Sequence, residues 1–155
     1  MIRTLVSLAA LALLSACQGS SEDDVNAPAE PAVLAVEVAD AWCRPTPNGA
    51  RAGACYATLK ATGRADRLVG VSTPAAGMAM IHIMSTEDGM MKMSEAEDGV
   101  ALPIDQAVTL APGGTHLMLM DLRGPLVEGT VIALTLNLFS GPDVTVQAPV
   151  RRPAA

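Results

Sequence analysis

Between Leu34 and Val150 the apolar residues come in short runs, each cut within a few positions by turn-forming residues. Pro45, Pro47, Asn48 and Gly49 follow the run Leu34–Trp42, Gly63 and Asp66 follow Cys55–Leu59, and Pro74 follows Leu68–Ser72. Glu87-Asp88-Gly89 separates Met80–Ser85 from Met90–Ser94, and an Asp-Gly between two such runs signals a hairpin. Pro112-Gly113-Gly114 precedes His116–Leu122, and Gly141-Pro142-Asp143 splits Val131–Phe139 from Val144–Val150. About nine short strands at roughly 8–12-residue spacing predict an all-β sandwich, with only Gln106–Ala111 left without a clear preference. No long helical periodicity and no alternation of strands with helices occurs, so a doubly wound nucleotide fold is not expected. No G-x-G-x-x-G or Walker sequence is present either.

The distribution of two residue types narrows the chemistry. Apart from Met1 the methionines are Met78, Met80, Met84, Met90, Met91, Met93, Met118 and Met120, and the only histidines are His82 and His116. Methionines that merely fill core gaps would be scattered among Leu and Val. Side chains alternate between the faces of a strand. In Met80-Ile81-His82-Ile83-Met84 the isoleucines take one face, and His82 and the methionines take the other. His116-Leu117-Met118-Leu119-Met120 divides the same way, and Met91 and Met93 share a face. Thioether sulfur is soft and neutral, and imidazole is borderline, so together they favour Cu(I) over Mg2+ or Ca2+. Zinc takes Cys, His and carboxylate rather than thioether.

The chain opens on a targeting pattern. Met1-Ile2-Arg3-Thr4 is a positive n-region, and Leu5–Leu14 is an apolar stretch of ten residues, against the about 20 that a spanning helix needs. Leu14-Ser15-Ala16-Cys17 resembles a bacterial lipobox, which implies cleavage before Cys17 and acylation of its thiol. The expected organisation is a leader over 1–16, a tether over 17–32 rich in Ser, Glu, Asp, Ala and Pro, and a folded domain over 33–152. Removing Arg3 with the leader takes the net charge from −6 to −7, nine basic against sixteen acidic residues. Trp42, Tyr56 and Phe139 are the only aromatics, and no basic run exists, which argues against a nucleic-acid partner. Cys43 and Cys55 remain as a pair in an oxidising compartment, where a disulfide is the expected state. Two buried thiols or a metal-binding pair are the alternatives.

The stretch Leu110-Ala111-Pro112-Gly113-Gly114-Thr115-His116-Leu117-Met118-Leu119-Met120-Asp121-Leu122, followed by Pro125-Leu126 and Gly129, resembles the signature of the periplasmic copper chaperones called PCu(A)C. So do His82 through Asp88-Gly89-Met90-Met91-Lys92-Met93 and Asp40-Ala41-Trp42-Cys43-Arg44-Pro45-Thr46-Pro47, and the resemblance runs over roughly Val36–Val150. It implies a cupredoxin-like β-sandwich, of Greek-key or immunoglobulin-like kind. The family's metal motif is H-x10-M-x21-H-x-M. Ten residues separate His82 from Met93, but twenty-two separate Met93 from His116, which reads as one inserted residue near Glu95–Gly99. The resemblance then implies His82, Met93, His116 and Met118 as Cu(I) ligands, with Met91 the fallback for Met93. Met84, Met91 and Met120 would stand behind the ligands or simply pack. The implied role is delivery of copper to the binuclear site of cytochrome c oxidase subunit II, together with Sco-type proteins. That role belongs on the periplasmic side of a membrane, touched through the lipid anchor alone.

Three other functions compete with a copper chaperone. An electron-transfer cupredoxin would use two His, a Cys thiolate and a weak axial ligand, and no Cys neighbours either histidine in sequence. An enzyme would need a nucleophile–base arrangement that is not recognisable, so none is expected. Asp40, Asp121 and the acidic loop Glu95-Glu97-Asp98 read as solvated charges. A copper-independent lipoprotein with a Met-rich interaction surface is the main rival, because methionine adapts to varied partners.

Overall fold

A computed structural model describes residues 35–153. The expected leader, the acylated Cys17, the tether over 17–32 and the domain's first two residues lie outside the described residues. Ten strands follow in chain order: β1 Ala35–Cys43, β2 Ala52–Thr62, β3 Asp66–Ser72, β4 Ala76–Glu87, β5 Met90–Glu95, β6 Val100–Leu102, β7 Ala107–Leu110, β8 His116–Leu122, β9 Val131–Leu138 and β10 Val144–Pro149. They form two antiparallel sheets, ordered β1-β2-β8-β4-β5 with β7 also on β2, and β10-β9-β3-β6. This is the all-β, cupredoxin-like sandwich expected from the turn spacing and the resemblance.

Two elements escaped the sequence reading. Gln106–Ala111 contains β7, whose four residues pair with Ala57–Lys60 of β2. β6 has only three residues and holds its place by pairing with Asp66–Leu68. Neither is long enough to show a period of its own.

The core is aliphatic and sits between the sheets. β9 buries Ile132, Leu134, Leu136 and Leu138 at alternate positions, while β8 buries Leu117 and Leu119 and β4 buries Ile81. Full burial of one such side chain contributes about 1.5–3 kcal/mol. Cys43 and Cys55 are direct cross-strand partners on β1 and β2, are wholly inaccessible, and are joined as a disulfide.

Two turns position the site. Asp88 and Gly89 close the β4–β5 hairpin with φ values of 51° and 77°, the doubly positive backbone of a two-residue turn. The Pro112-Gly113-Gly114 turn places Gly113 at φ 79° and closes with the Gly114 amide donating to the Ala111 carbonyl at 3.0 Å. The chain leaves that turn directly into His116, the first residue of β8. β7 and β8 therefore follow one another along the same edge of β2, one pairing with each half of it.

Candidate metal centre

The adjacent strands β4 and β8 of the larger sheet carry two different faces. β4 and β8 pair with Ile81 opposite Leu117 and Ala79 opposite Leu119, and these side chains point to the core. The intervening positions point outward, and there His82 faces His116, Met80 faces Met118, and Met78 faces Met120. The division inferred from alternation within each strand thus becomes a ladder of matched pairs across two strands.

The two imidazoles meet edge to face, with ring centroids 5.7 Å apart and planes at 81°. His116 is 9% exposed, and its Nδ1 lies 2.9 Å from the Gly114 carbonyl. A carbonyl only accepts, so Nδ1 carries the proton and Nε2 is left with its lone pair free. That carbonyl belongs to the turn preceding β8, so the turn both positions His116 and sets its tautomer. Nδ1 of His82 is buried without a hydrogen-bond partner, the one such side-chain atom among the described residues. An unsatisfied buried polar atom costs about 1–3 kcal/mol, a cost that coordination would relieve.

Met118 lies one strand across and one outward position along from His82, in the diagonal relation that long side chains span. It borders a hollow of about 230 Å3 lined also by Arg44, Pro45, Thr46, Ala52, Gly53 and Ala54. Met93 is on the edge strand β5, opposite Met84 and diagonal to His82 on the other side, and is 53% exposed. The outward residue opposite His82 on β5 is Glu95. Four residue steps along β4 therefore separate the rows of Met93 and Met118, about 13 Å along the strand. The structure brings His82, His116 and Met118 together and sets Met93 on the hairpin arm beside them. Met91 is further out, opposite Thr86, whose hydroxyl donates to its sulfur at 3.2 Å.

Met78 and Met80 were not singled out as site residues from sequence. Met80 already stands on the His/Met face that alternation defines in the sequence, and Met78 lies one step further toward the N-terminus, because β4 begins at Ala76 rather than Met80. No group of three or more His, Cys, Asp or Glu side chains capable of holding a metal occurs among the described residues. Cys43 and Cys55 spend their sulfurs on each other, so neither offers the thiolate of a blue-copper set. Any soft-metal site on this face relies on imidazole and thioether.

An aromatic row continues from the histidines. Tyr56 stands 6.5 Å from His116 and 4.5 Å from Trp42, measured between ring centroids, and the Arg151 guanidinium lies 4.8 Å over Trp42. Burial pushes the Tyr56 phenol above its ordinary value, against the opposing pull of the Arg44 charge, so it stays neutral at physiological pH. A larger hollow of about 370 Å3 opens beside Trp42, Asp40 and Arg151 and is lined by no His or Met.

A family model described as LpqE-like, and named as a lipoprotein family, matches residues 36–150. Lxx21020 of Leifsonia xyli subsp. xyli (strain CTCB07), also named as a lipoprotein, is 35% identical over 117 residues, 75% of this chain and 69% of that protein. The copper-bound PCuAC domain of PmoF2 superposes with a TM-score of 0.62 at 27% identity, over 76% of this chain and 93% of that one. Cu(I)-bound DR1885 from Deinococcus radiodurans gives a TM-score of 0.55 at 31% identity, covering 84% and 85% of the two chains.

Proposed function

The chain belongs to the LpqE-like lipoprotein family, of PCuAC type, and from that membership and its His/Met face we propose that it is a Cu(I)-binding metallochaperone. The observation that carries the proposal is the direct pairing of His82 with His116, with Met118 one outward position along and a buried imidazole nitrogen left unpartnered. Cu(I) is the cargo rather than a resident cofactor. His82, His116 and Met118 would hold it, and Met93 would complete the set from the β4–β5 hairpin by bending of that arm toward β8. Met84 would support this set through packing, and Met91 stands further out on the hairpin.

Chaperoning asks for a site that releases its ion. Thioethers are neutral and carry no proton, so a ligand can be exchanged for a partner's ligand without charge separation at the metal. Met93 is exposed, which suits the arm that lets go first. The proposed destination is the copper site of cytochrome c oxidase subunit II, with Sco-type proteins as partners, as the PCu(A)C resemblance implies. Acylation of Cys17 would hold the domain to a membrane on its periplasmic side.

The test is an anaerobic competition for Cu(I) between the chain and a chromophoric Cu(I) chelator, with His82→Ala and His116→Ala run alongside. The expected result is a tightly held equivalent in the parent that both variants weaken sharply. Binding indifferent to both histidines would overturn the proposal. It would favour the second reading, a copper-independent interaction surface, which the exposure of Met78, Met90, Met91 and Met93 supports.

A further inference from the structure

The proposed ligand set leaves part of the methionine face unused. Met78 and Met120 are direct cross-strand partners, one outward step beyond the Met80–Met118 pair. The four thioethers stem from the corners of a patch about 5 Å across the strands and about 7 Å along them. Met78 is 54% exposed, whereas the core is filled by other residues from the opposite face, so packing does not account for it. The strand beside β8 presents Ala52 opposite Met120 and Ala54 opposite Met118. These short side chains leave the hollow next to Met118 open, with Arg44 the one charged residue on its lining. Three unbranched, flexible thioethers on neighbouring strands can converge on one soft ion.

We propose that Met78, Met80 and Met120 form a second, weaker Cu(I) position, separate from the histidine pair and adjoining it through Met118. The inference rests on the Cu(I) reading above. Met118 belongs to the edge of both positions. An ion arriving at exposed Met78 can therefore pass to the histidines by exchanging one neutral thioether for the next, and leave by the reverse path. The all-thioether position binds more weakly because it lacks the imidazole donors, which is what a transit position requires.

The experiment is an anaerobic Cu(I) titration of the full chain carrying 13C-methyl methionine, with the methyl and histidine ring signals followed by NMR. The first equivalent should move Met93, Met118 and the two histidines, and the second should move Met78, Met80 and Met120. In Met78→Leu/Met80→Leu, which conserves size and apolarity, the second equivalent should be lost and the first kept. The inference is overturned if Met78 and Met80 stay still through two equivalents, or if the double variant still takes the second. Movement of all these methionines with the first equivalent would also overturn it, by merging the two positions into one. Failure of the Cu(I) reading itself looks different, because His82, His116 and Met118 would then not respond to the first equivalent.

Discussion

At the scale of single residues, the site depends on atoms whose partners can be named. Met118→Leu conserves volume and apolarity, so its cost in stability should stay under about 1.5 kcal/mol. Its Cu(I) affinity should fall by at least about tenfold, or 1.4 kcal/mol. Chelator competition measures this directly, and an unchanged affinity would remove Met118 from the site. Tyr56 is the only tyrosine, so phenolate absorbance at high pH reports it alone. Its pKa in the folded chain is raised from the ordinary 10.0 by burial, so the folded state holds the phenol proton more tightly than the unfolded one. The stability this contributes is fully present below pH 10.0 and is lost as pH rises through the raised folded value. Tyr56→Phe should flatten that alkaline fall in denaturant stability, and an identical pH profile in both proteins would refute the assignment.

At the scale of elements, two connections matter more than any one strand. The Cys43–Cys55 bridge joins β1 to β2 beneath the outward face, with both sulfurs inaccessible. Reduction should cost about 3 kcal/mol on the chain-entropy account and lower Tm by roughly 10 °C. The tightly bound Cu(I) equivalent should survive, because neither sulfur faces the histidines. Loss of copper at a temperature where the reduced domain remains folded would contradict this placement. Gly99 ends the acidic loop after β5 at φ 71°, and a Cβ there would collide with the Leu68 carbonyl. Gly99→Ala should therefore destabilise by more than about 1 kcal/mol, readable as a lower urea midpoint. The sequence suggested an inserted residue in this region, and the loop is pinned by the Ala96 amide donating to the Ile81 carbonyl at 2.8 Å. That bond ties the start of the loop to β4 next to His82.

At the scale of the whole molecule, binding and stability are one quantity. Cu(I) at a free concentration of 100 times Kd should stabilise the folded chain by about 2.7 kcal/mol, seen as a rise in Tm. The same addition to His82→Ala/His116→Ala should leave Tm almost unmoved, and an equal rise would place the stabilising ion elsewhere. The sequence by itself determined the class of fold, because turn residues and the two-residue period are local properties of a chain. It also pointed to soft donors as the candidate ligands, because they gather between positions 78 and 120 while the inward positions stay aliphatic. Even the β4–β5 hairpin was legible, from one Asp-Gly. Register was not, because it follows from how β4 and β8 bury Ile81, Leu117 and Leu119 together. That shared burial is what puts His82 against His116 and carries the methionine ladder down to Met78. It also sets Met93 beyond Met84 on an edge strand, a position that spacing alone does not reveal. Spacing counts residues along one strand, whereas a metal site is assembled across several, and only the packing of the core decides which residues stand opposite one another.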